Sequence, residues 1–86
     1  YAAKVGYRHV IDQIIASYSE TPSGGGITIQ DGAGNTIFQI HINDDALHKE
    51  EFWPPLMGSE NTAMIVTMTA GGGTAVGRLN VRHRVY

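Results

Sequence analysis

The residues with chemical potential in this sequence are few, and they come without the partners that chemistry needs. Four histidines are present, His9, His41, His48 and His83. Zinc sites draw ligands from helical i, i+4 spacing or from neighbouring strand positions. His41 and His48 stand seven apart across a polar stretch and fit neither pattern. His9 and His83 meet only if the first and last segments pair; otherwise scattered surface or interface histidines are expected. Asn43-Asp44-Asp45 with Glu50-Glu51 offers oxygens of the kind calcium takes, and Asp31-Gly32-Ala33-Gly34-Asn35 has a faint likeness to a calcium loop. Neither completes a ligand set, and a hairpin turn accounts for the second. No metal and no cofactor is expected.

Nucleophilic catalysis needs Ser or Thr beside a base that an acid orients. Ser17, Ser19, Ser23 and Ser59 lie in no Gly-x-Ser-x-Gly context, and no local motif ties one to a histidine. The Gly24-Gly25-Gly26 and Gly71-Gly72-Gly73 clusters are not followed by the Lys-Ser/Thr of a phosphate loop, so flexible β-loops are expected there. The expected protein is not an enzyme, with no catalytic residues to name.

Two features point instead to binding. Arg78, Arg82 and Arg84 recur at even spacing near the end of the chain, which puts them on one face of a strand. Such a stripe is either a solvated face or a contact to carboxylates across an interface. Arg8 joins it if the terminal strands are neighbours. Phe52-Trp53-Pro54-Pro55-Leu56-Met57 is the densest apolar run, and it fits either the floor of the core or an interface, whose centres favour aromatics and Met. The predicted partner-contact residues are Phe52, Trp53, Leu56, Met57, Arg78, Arg82 and Arg84.

The elements that must carry these residues read as strands. Ile27-Thr28-Ile29-Gln30, then a Gly-rich turn, then Phe38, Ile40 and Ile42 alternating with Gln39 and His41, predict a β-hairpin. Met64 to Thr69, a loop over Ala70 to Thr74, and Ala75 to Tyr86 repeat that pattern, with Leu79, Val81, His83 and Val85 on one face of the last strand. Pro54 and Pro55 lack the N–H that ladder pairing uses, so Glu51 to Met57 is predicted as an edge strand ending in a polyproline bend, after a loop over Asn43 to Lys49. The first segment is ambiguous: Val10, Ile11, Ile14, Ile15 and Tyr18 fall at helical spacing. As a strand, it points Val10, Ile14, Ala16 and Tyr18 one way and His9, Ile11, Gln13, Ile15 and Ser17 the other, with Asp12 misplaced. The β-rich remainder favours the strand. The whole of residues 1–86 is expected to form a single all-β domain, a jelly-roll-like antiparallel sandwich of seven or eight short strands.

Composition narrows the classes further. With 86 residues, no cysteine, 16% charged residues and a formal net charge of −2, the chain must stabilise a small core without disulfides, which favours self-association. Six basic residues against eight acidic ones argue against nucleic acid, and no apolar run is long enough for a transmembrane helix. There is no signal-peptide pattern at the start. A chain beginning at Tyr1 rather than Met is expected to be a processed or partial product.

The ordered motifs Gly6 to Val10, Ala16-Ser17-Tyr18-Ser19, Pro22-Ser23-Gly24-Gly25 before Ile27-Thr28-Ile29, Asp31-Gly32-Ala33-Gly34, Phe52 to Leu56, and Ala70 to Gly73 before Gly77-Arg78-Leu79-Asn80-Val81 carry a resemblance across nearly the whole chain. The sequence resembles small β-sandwich structural proteins of tailed phages and prophages, of the jelly-roll capsid decoration (cement) type. The resemblance implies a homotrimer on the capsid surface of a virion, with the major capsid protein as partner. It supplies no catalytic residues. The alternative is a carbohydrate- or receptor-binding sandwich of a tail fibre or baseplate, with Trp53 and Tyr18 as stacking platforms.

Overall fold

The computed structural model describes residues 1–86 and holds six strands: β1 (His9–Tyr18), β2 (Gly25–Asp31), β3 (Thr36–Ile42), β4 (His48–Met57), β5 (Met64–Met68) and β6 (Gly77–Val85). They form two antiparallel three-stranded sheets of order β4-β1-β6 and β3-β2-β5. The all-β sandwich is therefore as expected, with six strands rather than seven or eight. The difference lies in residues 1–8, 43–47, 58–63 and 69–76, which run as connections whose backbones make turn and edge contacts instead of ladders.

The predicted β2–β3 hairpin is present, from Gly25 opposite Ile42 to Gln30 opposite Thr36. The second predicted hairpin is not. β5 pairs with β2 and β6 with β1, so the segment between them crosses from one sheet to the other. β4 is an edge strand, as its prolines require; it reaches Met57 as expected but begins at His48, inside the stretch expected to be a loop, because His48 and Lys49 pair with Ala16 and Ile15 of β1. Residues 52–55 leave the ladder between Glu51, opposite Gln13, and Leu56, opposite Ile11. That excursion contains the cis Trp53–Pro54 bond and lets an edge accommodate two residues without an N–H.

The ambiguous first segment is the central strand β1, and its helical spacing has a structural cause. A β-bulge at Asp12 inserts one extra residue between Ile11, opposite His83, and Gln13, opposite Arg82. An extra residue restores the same face three positions on instead of two. Ile11 and Ile14 therefore both enter the core with Ala16 and Tyr18, while Gln13, Ile15 and Ser17 face outward. The expected faces are inverted for the three residues before the bulge, including His9, which shares the side of Ile11 and meets His83 there. Ile11 is a core residue, and Val10 is buried outside that core cluster, opposite Met57 and Arg84.

The sheets pack face to face, as in other sandwiches. Ile11, Ile14, Ala16 and Tyr18 of β1 meet Ile27 and Ile29 of β2, Ile42 of β3 and Met64 of β5. Phe38 of β3 and Phe52 of β4 meet edge to face with centroids 4.9 Å apart, closing one side. Tyr18 closes the end near the glycine clusters. Its hydroxyl donates to the Thr69 carbonyl at 2.6 Å and accepts from the Gly26 N–H at 3.1 Å. A Cβ on Gly25 would sit 2.9 Å from the Tyr18 ring, and one on Gly71 would sit 3.0 Å from it. Those glycines are buried packing partners of a core tyrosine, and Gly25-Gly26 belongs to β2 rather than to a loop.

Candidate functional site

Alternation along β1, β4 and β6 sorts their side chains into a core set and an outer set. The outer set crosses the sheet in rows: Glu51, Gln13 and Arg82 lie side by side, followed by Lys49, Ile15 and Asn80, with Ser17 beside Arg78. The excursion of β4 adds Trp53, and the bulge adds Asp12. Asp12, Gln13, Glu51, Phe52, Trp53, Pro55 and Arg82 line an open cleft of about 350 Å³ on this face.

Trp53 is 92% exposed. Its neighbours in the chain explain this: the residues that leave the ladder have no strand on either side to cover them, and the two prolines hold the segment out. Phe52, one residue earlier, turns inward against Phe38. The apolar run thus divides between two jobs. Phe52 and Leu56 are half-buried and pack on the core, whereas Trp53 and Met57 are exposed.

The charges of the face are arranged unequally. Arg84 Nε lies 3.0 Å from Asp12 Oδ2, with a second contact from its Nη2 at 3.3 Å, and this pairing raises the Arg84 pKa. Lys49 Nζ lies 3.2 Å from Glu51 Oε1, and Gln13 Nε2 donates weakly to the same oxygen at 3.4 Å. Arg78 and Arg82 make no ion pair within the chain. The three strands therefore present four of the six cations of the chain and two of its eight carboxylates on one face, in a protein of net charge −2.

The remaining sequence candidates are accounted for by local contacts. His9 and His83 do meet, with Nδ1 and Nε2 at 2.8 Å. His48 Nε2 bonds Asp44 Oδ1 at 2.8 Å, and with the Ala46 N–H at 3.2 Å it lowers the Asp44 pKa below 3.8. Asp31 accepts from the Ser59 hydroxyl at 2.6 Å and from the Ser59 N–H at 2.8 Å, tying the β2–β3 turn to the segment before β5. The Ser19 hydroxyl accepts from the Val76 N–H. No group of three His, Cys, Asp or Glu side chains converges. Tyr18 is 3% exposed with its hydroxyl satisfied on both sides, so its expected role as a stacking platform is overturned.

Of the seven predicted contact residues, five stand exposed: Trp53, Met57, Arg78, Arg82 and Arg84. Trp53 and Arg82 share the cleft. Sequence reasoning missed Asp12, Gln13 and Glu51 as members of that face. Asp12 was visible as the one residue that broke the alternation of β1, which is the signature of a bulge.

The class defined by these features is a small six-stranded β-sandwich with one aromatic and arginine-bearing outer face. No known protein family, no curated protein and no solved structure matches this chain.

Proposed function

We propose that this chain is a non-catalytic phage virion structural protein, a capsid decoration protein that binds the major capsid protein as a homotrimer through the outer face of the β4-β1-β6 sheet. The observation that carries the docking face is Trp53, 92% exposed beside an unpaired Arg82 in one cleft. Trp and Arg dominate binding energy where they sit at interface centres, and Met and aromatics are enriched there. The excess of cations on this face fits an acidic partner surface. The phage assignment rests on the sequence resemblance. A jelly-roll-like reading is supported by the nested pairing of the first strand with the last and the second with the fifth.

The test has two parts. Light scattering on the purified chain across a dilution series is expected to give a stable trimer. Capsid shells assembled from the major capsid protein of the same gene cluster are expected to bind the chain and to lose it when Arg78→Glu and Arg82→Glu are combined. A double variant that still decorates the shells normally sinks the docking face. The same cleft favours a second reading, a sugar-binding module, because an exposed indole beside Gln13, Glu51 and Arg82 offers a stacking surface and hydrogen-bonding groups together. Trp53 is the single tryptophan, so its fluorescence reports that site alone. A monomer whose fluorescence responds to glycans places the second reading first.

A further inference from the structure

The segment before β1 lies across the open side between β5 and β6. Tyr1 exchanges two hydrogen bonds with Met64, at 2.8 and 2.9 Å, on the edge of β5 that β2 leaves free. Its ring stacks on His83 of β6, with centroids 3.7 Å apart and planes within 3°. Further along, Asn61 receives the Gly6 N–H on its side chain and donates its own N–H to the Tyr7 carbonyl. Residues 1–8 therefore touch both sheets.

His9 adds a side-chain tie between this segment, β1 and β6, beside the two backbone bonds that Arg8 exchanges with Tyr86. His9 is 6% exposed. Its Nε2 lies 2.7 Å from the Ala2 carbonyl, and its Nδ1 lies 2.8 Å from His83 Nε2. A carbonyl only accepts, so His9 Nε2 carries a hydrogen. In the uncharged pair, His9 Nδ1 must then accept from His83 Nε2. One added proton keeps that bond, since either ring can donate to the other. A second proton places N–H against N–H and puts two positive rings 5.0 Å apart.

We propose that His9 and His83 form a proton-sensitive latch that holds residues 1–8 over the β5 edge, and that protonation of both rings releases the segment. Repulsion between the two charged rings drives them apart, and displacement of either one takes a contact from the segment, His9 from the Ala2 carbonyl or His83 from the Tyr1 ring. The groups facing the pair do not offset this. Tyr1 brings its α-amino group and phenol, β5 carries no titratable residue, and none of the three ion pairs of the chain involves either ring. Arg82 and Arg84 flank His83 on β6 and so alternate to the opposite side of that strand, and Arg8, half-buried just before β1, is itself a cation. Burial lowers the His83 pKa below 6.5, and the charge of His9 lowers it further. The unfolded chain thus binds more protons there, so the latch is fully formed above about pH 6.5 and is lost as pH falls through the lower folded value.

The experiment is an NMR titration of the four histidines of the whole chain, with amide-exchange protection factors followed at Met64, whose N–H bonds Tyr1. The His9 and His83 ring signals are expected to change together across the acid step, because each ring is the other's hydrogen-bond partner. Met64 protection is expected to fall about tenfold with the second protonation, the size of one lost hydrogen bond. His83→Phe keeps a ring under Tyr1 and is expected to abolish that pH step. A Met64 protection factor that stays constant through the second step, or a step that persists in His83→Phe, overturns the latch.

Discussion

The outer faces of the two sheets share an architecture and differ in almost everything else. Across β3-β2-β5 the outward row Gln39, Thr28 and Thr67 is uncharged, and neither β3 nor β5 contains a Lys, Arg, Asp or Glu. Across β4-β1-β6 the corresponding positions hold Glu51, Gln13, Arg82, Lys49 and Arg78, with Trp53 raised above them. Each sheet also contains a one-residue bulge, and the two serve different ends. The β2–β3 pairing skips Ile37, a half-buried apolar residue packed against the core. The β1 bulge inserts Asp12, which pairs with Arg84 on the outer face. One bulge adds to packing and the other adds a charge to the outer face. The edges differ in the same sense: prolines and charges blunt β4, and arginines blunt β6, whereas β5 relies on the Tyr1 segment to cover it.

The sharpest way to break this comparison is to edit β1 itself. Deleting Asp12 returns β1 to plain alternation with Ile11, Ile14, Ala16 and Tyr18 still facing inward. Urea denaturation is expected to show a folded protein weakened by about 1–2 kcal/mol. Deleting Ile15 instead turns one flank of the strand over, exposing either Ala16 and Tyr18 or Ile11 and Ile14. That variant is expected to lose more than about 4 kcal/mol, enough to unfold a small domain. Equal costs for the two deletions would mean that the bulge does not set the faces.

Trp53→Ala against Gln39→Ala tests the faces directly. The tryptophan variant is expected to lose about 2 kcal/mol or more in partner binding, measured by cosedimentation with capsid shells. Its unfolding free energy should stay within about 0.5 kcal/mol of the parent, since an exposed side chain leaves little packing to lose. The glutamine variant should change neither quantity. A Trp53→Ala protein that binds normally but melts early would move Trp53 from recognition to structure.

How much of this was legible in the sequence follows from the kind of signal each feature leaves. The β2–β3 hairpin was legible because alternation on both sides of a Gly-rich turn is a local pattern. The location of β4 at an edge was legible because Pro54 and Pro55 forbid ladder pairing on both sides. The faces of β1 were not, since the bulge makes Ile11 and Ile14 mimic the spacing of a helix. The separation of β5 from β6 left no local trace: an eight-residue Gly-rich connection between two apolar strands looks the same in a hairpin and in a crossing between sheets. Gly25 and Gly71 were read as loop formers, and their actual reason, room for the Tyr18 ring, is a contact between residues far apart in sequence. For the site, the arginine stripe followed from period two alone, whereas the cleft required knowing that β4 and β6 flank β1.

Smaller effects sharpen the charge side of the comparison. Arg82→Glu is expected to lower partner affinity about tenfold in dilute salt, with most of the difference gone near 1 M salt, where charges are screened beyond about 3 Å. An equal loss at both salt concentrations would point to a shape defect instead of charge.

Asp12→Asn gives the finest discrimination, because it removes one charge from the outer face while keeping the bulge and its volume. The pair with Arg84 is largely open to solvent, with the two side chains 25% and 49% exposed, so its loss is expected to cost less than about 1 kcal/mol of stability. The effect on binding has the opposite sign. Removing a carboxylate leaves the face more positive and frees Arg84 to act as Arg82 does. Association with an acidic partner surface should then quicken about two- to threefold in dilute salt, while dissociation stays nearly unchanged. Stopped-flow fluorescence of Trp53 separates the two rates. A slower association would mean that Asp12 itself meets a cation on the partner, and the outer face would then have to be read as a mosaic of both signs, with Trp53 at its centre and the arginines as only one half of its charge pattern.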